Sequence, residues 1–202
     1  MKLAKILPAY GFYIFLGIMV ANVAIVAAVF SHRSEAAVPL PVLGQLPDFN
    51  LVNQQGQEVG LTTLEGQIWV ADFIFTTCAG PCPIMSRKMA ALQRKFMHQP
   101  QLHLVSFSVN PEYDTPAVLA QYAERYGAQD DRWTFLTGSI EEIHRLAAEG
   151  FKMGSIETPV NHSTYFALVD GQGRLRGYYN SEDEPAINTL IDDIEGLLVS
   201  QR

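Results

Sequence analysis

The sequence predicts an α/β domain preceded by a single transmembrane helix. Three observations predict it. A nearly unbroken apolar run, Ala9 to Phe30, stands near the N-terminus. Strand-like and helix-like segments alternate from Leu46 onward. The only two cysteines, Cys78 and Cys82, lie four residues apart where an apolar strand-like run gives way to an amphipathic helix.

As a helix, Ala9 to Phe30 spans roughly 33 Å at about 1.5 Å per residue, which matches a hydrocarbon core of about 30 Å. The run has no polar face, only the internal amide of Asn22, so it does not read as a buried core helix. It exceeds the apolar region of about 7–15 residues typical of a cleaved signal; cleavage near Ala36-Ala37 is the alternative. Lys2 and Lys5 precede it, and Arg33, offset by Glu35, follows. That balance favours a cytoplasmic N-terminus. With no cysteine near the run, a lipid-anchored cysteine is excluded. The expected organisation is an anchor over residues 1–30, a linker over 31–45 marked by Pro39 and Pro41, and one domain over 46–202.

Setting aside Lys2, Lys5, Arg33 and Glu35 leaves 11 basic and 20 acidic residues of the total 14 and 21, a net charge of −9. Nucleic-acid binding wants a basic face, so that class is excluded. An acidic surface suits solubility, a cationic partner or a metal ion.

Within the domain, Phe49 to Asn53 and Glu58 to Gly60 predict a hairpin around Gln55-Gly56. Ile68 to Phe75 reads as a buried strand. Pro83 to Met97 carries the helical stripe Met85, Met89, Leu92, Phe96. Leu102 to Val109 is a strand. Thr115 and Pro116 are the N-cap and first turn of a helix over Pro116 to Tyr126. Trp133 to Leu136 is a short strand. Ser139 with Glu142 predicts a capping box for a helix ending near Gly150. Tyr165 to Asp170 and Leu175 to Tyr179 form a hairpin turned by Gly171-Gln172-Gly173. Ile187 to Val199 closes the domain as a helix with Ile187, Leu190, Ile191, Ile194 and Leu198 facing inward. Cysteines at a strand-to-helix turn in such a sandwich make the fold look thioredoxin-like.

Two cysteines this close cannot act as a long-range staple, because loop-closure stabilisation grows with loop length. Thiol chemistry or metal binding remains. Thiolates are soft ligands that select Cu(I) over harder ions. Cys82 stands near a helix start, where free N–H groups and the helix dipole favour its thiolate. The three-residue spacer lets both sulfurs converge on one ion. Of the five histidines, His162 stands just before the Tyr165 strand. His32, His98, His103 and His144 read as juxtamembrane, helix-end, strand-opening and helical residues. Met85 is weighed as a thioether ligand and assigned to the core, as are Met89 and Met97. Asp72 is an oddity, a carboxylate inside an apolar strand six residues before Cys78, costly to bury unless paired or protonated. It is a candidate proton acceptor for Cys82 in thiol–disulfide exchange, with solvation at a strand edge as the alternative. Two cysteines, one histidine and water also suit zinc.

Three segments carry a resemblance. Phe73-Ile74-Phe75-Thr76-Thr77-Cys78-Ala79-Gly80-Pro81-Cys82-Pro83, then Ser108-Val109-Asn110-Pro111-Glu112-Tyr113-Asp114-Thr115-Pro116, then Asn161-His162-Ser163 followed by Tyr165-Phe166-Ala167-Leu168-Val169-Asp170, resemble in order the motifs of the Sco/SenC copper chaperones. The likeness runs from about Leu46 to Val199. It implies a membrane-tethered thioredoxin-like fold that binds copper, as Cu(I) or Cu(II), through Cys78, Cys82 and His162. It implies a place in the inner (cytoplasmic) membrane with the C-terminal domain on the periplasmic side. It also implies an upstream copper donor and, as acceptor, cytochrome c oxidase subunit II or a similar copper-accepting protein. Asn110 and Asn161 stand where that family usually or often has an acid, which alters the electrostatics of the site. The alternative function is a thiol–disulfide oxidoreductase that reduces the cysteines of a copper-binding client. A redox or copper sensor is the third class.

Overall fold

The computed structural model describes residues 13–23, 40–129, 131–153 and 163–200. The chain divides into two compact units, Met1–Pro39 and Leu40–Arg202.

In the first unit, residues 13–23 are helical. Asn22 donates its amide Nδ2 to the Ile18 carbonyl at 2.8 Å, so the one polar side chain of the apolar run is satisfied one turn back along its own helix. Among the described residues no helix is long and apolar enough to cross a membrane. The two ends of the expected span, residues 9–12 and 24–30, lie outside them.

The second unit is built on one eight-stranded sheet, ordered β1-β8-β7-β4-β5-β6-β2-β3. The strands are β1 (Gly44–Gln45), β2 (Asn50–Asn53), β3 (Glu58–Gly60), β4 (Ile68–Ile74), β5 (Leu102–Ser108), β6 (Trp133–Thr137), β7 (Tyr165–Val169) and β8 (Arg174–Asn180). Central strands β4, β5 and β6 run parallel, and the remaining pairs are antiparallel. The helices are α1 (Cys82–Lys95), α2 (Pro116–Tyr126), α3 (Ile140–Arg145) and α4 (Glu184–Ser200), with α3 running on into a π-helical turn, Leu146–Gly150.

Strand β4 is buried along its whole length, because helices cover both faces of the sheet, the pattern expected of parallel central strands. Its alternation divides the core in two. Ile68, Val70 and Ile74 share a layer with Cys82, Met85 and Met89 of α1, Leu119 and Tyr122 of α2, and Leu190 and Ile194 of α4. Trp69, Ala71 and Phe73 share the opposite layer with Phe107, Leu136, Ile143 and Phe151. Phe107 centres that second layer, stacked on Phe73 at 5.2 Å and edge-on to Phe151 at 5.5 Å.

The expected elements are present, with ends displaced by a few residues. Thr115 caps α2 by accepting from Val118 N–H at 3.4 Å, and Gly127 ends it in the left-handed region at φ 67°. Half of the expected capping box forms: Ser139 accepts from Glu142 N–H at 3.1 Å, while the Glu142 carboxylate takes Arg145 at 2.7 Å. Residues read as the end of the linker are held to the sheet. Gly44 and Gln45 pair with Leu175 and Arg174, and Leu40 packs against the first layer.

Candidate metal centre

Strands β4 and β5 end side by side, with Ile74 opposite Ser108. Strand β7, antiparallel to β4, begins at the same end of the sheet. The cysteine loop leaves β4 there. Cys78 N–H turns back to the Phe75 carbonyl at 3.1 Å, and the Pro81 carbonyl receives Ile84 N–H at 2.9 Å and Met85 N–H at 3.0 Å, which opens α1. Cys82 is therefore the first residue of α1, followed by a proline that needs no N–H partner there. Ala79 and Gly80 face solvent between the two thiols, and both cysteines are free and buried.

The thiols are unequal partners. Burial works to raise Cys78, but it accepts from the Cys82 thiol and from the backbone N–H groups of Cys82 and Gly80, and these bring it below its ordinary value. Burial, and the proton that it donates to Cys78, push Cys82 up to about 12, against a smaller opposing effect from the Phe75 backbone. Cys82 stands at the helix start as expected, and its burial works against the helix dipole there.

Asp72 has no exposure and lies on the central strand, which excludes solvation at an edge. Its Oδ1 accepts from Ser106 Oγ at 2.5 Å, and Ser106 Oγ accepts from Trp133 Nε1 at 3.0 Å. Among the described residues its Oδ2 has no hydrogen-bond partner. Burial raises its pKa to about 7, against the smaller effect of the Ser106 hydrogen bond. It faces the layer that holds Cys82, and its charge contributes to holding the Cys82 proton in place.

Asp114, within the second motif, is a further residue of this region that the sequence pattern does not mark. It is fully buried. Its carboxylate accepts from Thr76 N–H at 3.1 Å, from the Thr76 hydroxyl, and from Ser108 Oγ at 2.5 Å. Ser108 Oγ in turn accepts from Asn110 N–H at 3.1 Å. The available signal was an acid one residue before a helix N-cap, in a chain where Thr115 already serves as cap.

His162 and Asn161 lie outside the described residues. The segment resumes at Ser163, whose hydroxyl donates to the Met153 sulfur at 3.5 Å. Among the described residues no group of three or more His, Cys, Asp and Glu side chains has metal-holding geometry. His103 is buried, paired with Thr134 Oγ1 at 2.8 Å, and held neutral down to about pH 4 by burial and by Arg132. Met85 and Met89 are core residues with no exposure. Met97 is not: it is 59% exposed, because α1 ends at Lys95 and the buried stripe closes at Phe96.

Two soft, buried sulfurs joined by an exposed loop suit a thiophilic ion. The SCO1/SenC family model matches residues 44–198. The SCO1 protein homolog of Bacillus subtilis (strain 168) is 36% identical over 161 residues, covering 77% of this chain and 83% of that one. The structure of BsSco, described as a member of the Sco family of cytochrome c oxidase assembly proteins with a disulfide switch, is 36% identical and covers 79% of this chain and 97% of that one, with a TM-score of 0.68. Arabidopsis thaliana ScoI, solved with copper bound, is 25% identical over 74% of this chain and 98% of that one, with a TM-score of 0.61. Their similarity spans the strands, the cysteine loop and the closing helix together, and the chain belongs to the SCO1/SenC family.

Proposed function

We propose that this protein is a membrane-anchored copper chaperone. Copper is its cargo, held by Cys78 and Cys82 with His162 as third ligand, and passed by ligand exchange to subunit II of cytochrome c oxidase or a similar copper-accepting protein. An upstream donor supplies it. The observation that carries this reading is that Cys78 and Cys82 are both free and buried in one cluster where the loop opens α1. Two soft sulfurs on so short a loop suit one shared ion. Two thiols and an imidazole match the ligand softness of copper better than that of calcium or magnesium. Copper bound in a family structure and the role of BsSco's family in oxidase assembly support the same reading.

The test is copper titration of the reduced full-length chain. One ion per chain is expected. Cys78→Ser and Cys82→Ser should each abolish tight binding, since one soft thiolate does not hold the ion alone. His162→Ala should weaken binding and change the Cu(II) spectrum. Unchanged affinity in all three variants would sink the chaperone reading.

Asp72 favours a second activity on the same thiols, reduction of a client's cysteines before metallation. A buried acid with one bare oxygen and a pKa of about 7 suits proton exchange with Cys82 at neutral pH. Asp72→Asn should slow thiol–disulfide exchange and leave copper affinity nearly unchanged. Normal exchange with impaired copper binding would instead assign Asp72 to orienting a ligand.

A further inference from the structure

Asp114 is a buried acid whose hydrogen-bond partners among the described residues are one amide and two hydroxyls. What the carboxylate does is join two loops. The β4–β5 ladder extends to Val109 N–H on the Ile74 carbonyl at 2.8 Å. Past that point the chains separate, one into the cysteine loop and the other into the turn at Asn110. Asp114 spans the gap. It takes both the main-chain N–H and the side-chain hydroxyl of Thr76, two residues before Cys78, and so grips the start of the cysteine loop at two points. Its own position is fixed by Asp114 N–H on the Asn110 carbonyl at 2.9 Å and by Ser108, the last residue of β5.

We propose that Asp114 is a positioning residue that, through Thr76, holds the cysteine loop in its dithiol form, the form able to present both sulfurs to one ion. The inference rests on the copper reading only for the identity of that ion. A contact favours whichever state makes it, by the amount lost in the other state. The structure shows the clamp closed with both thiols free. A disulfide would draw the two sulfurs to about 2 Å and their Cβ atoms to about 3.8 Å, and in this proposal the segment that Thr76 anchors moves to allow it. Opening the clamp therefore moves the equilibrium toward the disulfide and loosens the metal-ready geometry. The oxidation concerned is that of two thiols to one disulfide, with two electrons and two protons passing to oxidised glutathione, which leaves as two reduced molecules.

The test compares Thr76→Val, which removes the hydroxyl but keeps the amide, with Asp114→Asn and Thr76→Ser in the detergent-solubilised full-length chain. Glutathione redox buffers read the dithiol–disulfide equilibrium of Cys78 and Cys82, and competition with a Cu(I) chelator reads copper affinity. Thr76→Val and Asp114→Asn should each favour the disulfide about tenfold, equivalent to about 30 mV for a two-electron couple. Copper affinity should fall about as much, and Thr76→Ser should restore both. If Asp114→Asn does not fold, Thr76→Val against Thr76→Ser decides. A redox equilibrium equal to the parent's in the folded variants, with only the unfolding midpoint lowered, would overturn the proposal. A redox shift in a parent chain that binds no copper would uphold the clamp and remove the copper reading.

Discussion

A carboxyl group with no exposure, one hydrogen bond and one bare oxygen opposes the fold whenever it ionises. Asp72 is that group. Its folded pKa, about 7, lies above the ordinary 3.8. Below about pH 4 both the folded and unfolded chains carry the proton, and burial costs least. Between about pH 4 and 7 the unfolded chain releases the proton while the folded protein retains it, so stability falls as pH rises through that window and levels off above it. The shift corresponds to roughly 4 kcal/mol at about 1.36 kcal/mol per unit. Asp72→Asn keeps an acceptor for Ser106 and removes the titration. It should leave stability unchanged at pH 4 and raise it by up to roughly 4 kcal/mol at pH 8, measured by urea unfolding. An equal difference at both pH values would show that Asp72 ionises normally in the fold. At this scale legibility tracked local patterning. The cysteines stood out because the chain has no others, and Asp72 because it breaks an apolar run. The burial of Cys82 was hidden, since it depends on elements distant in sequence that pack over α1. Asp114 was hidden for a similar reason: its donors, Thr76 just past β4 and Ser108 at the end of β5, meet only once the two strands are paired.

Elements show the same division between local and distant causes. Helix α2 was legible in full, because its cap, first-turn proline and terminal glycine are all contiguous in sequence. Strand β1 was not, since two residues carry no periodicity and its partner lies 130 residues away. The π-helical turn after α3 was equally invisible. Much of what secures β1 comes from the β7–β8 hairpin. Asp170 accepts from Gln172 N–H at 3.0 Å and Arg174 N–H at 3.1 Å, which shapes the turn. It also takes Arg174 Nε at 2.8 Å and Arg176 at 2.7 Å. Arg176 then reaches the Pro41 carbonyl at 3.0 Å and the Leu40 carbonyl. Burial tends to raise the Asp170 pKa, but the two arginines and the turn amides bring it below the usual range. That contribution is present above the ordinary carboxylate pKa and is lost as pH falls through the depressed one. Arg176 is 8% exposed, so Asp170→Ala strands a buried charge and should cost about 3–5 kcal/mol, seen as a lowered urea midpoint at pH 7. A loss under about 1 kcal/mol would mean that water replaces the carboxylate.

At the scale of the whole molecule the open matter is where the domain works. The family match begins at residue 44, so the N-terminal run is not part of the sheet's folding problem and needs its own reason. Lys2 and Lys5 on one side of Ala9 to Phe30, with Arg33 offset by Glu35 on the other, are the balance that favours a cytoplasmic N-terminus for a spanning run. Residues 13–23 are helical and expose Tyr13, Ile14, Phe15, Ile18, Val20 and Val23. A helix surrounded by exposed apolar side chains is stable in hydrocarbon and costly in water. The amide of Asn22, bonded to its own helix, removes the one polar obstacle in the run. We therefore expect an uncleaved anchor in the cytoplasmic membrane and the cysteine domain on the periplasmic side. After cell fractionation the protein should remain with the membranes through a carbonate wash. It should keep the mass of the chain from its N-terminus onward, and its domain should yield to protease added to spheroplasts without lysis. A soluble form beginning near Ala37 would show that the run is a long signal peptide. Protection of the domain until lysis would reverse the orientation, placing the thiols in a reducing compartment where the disulfide side of their chemistry has no use.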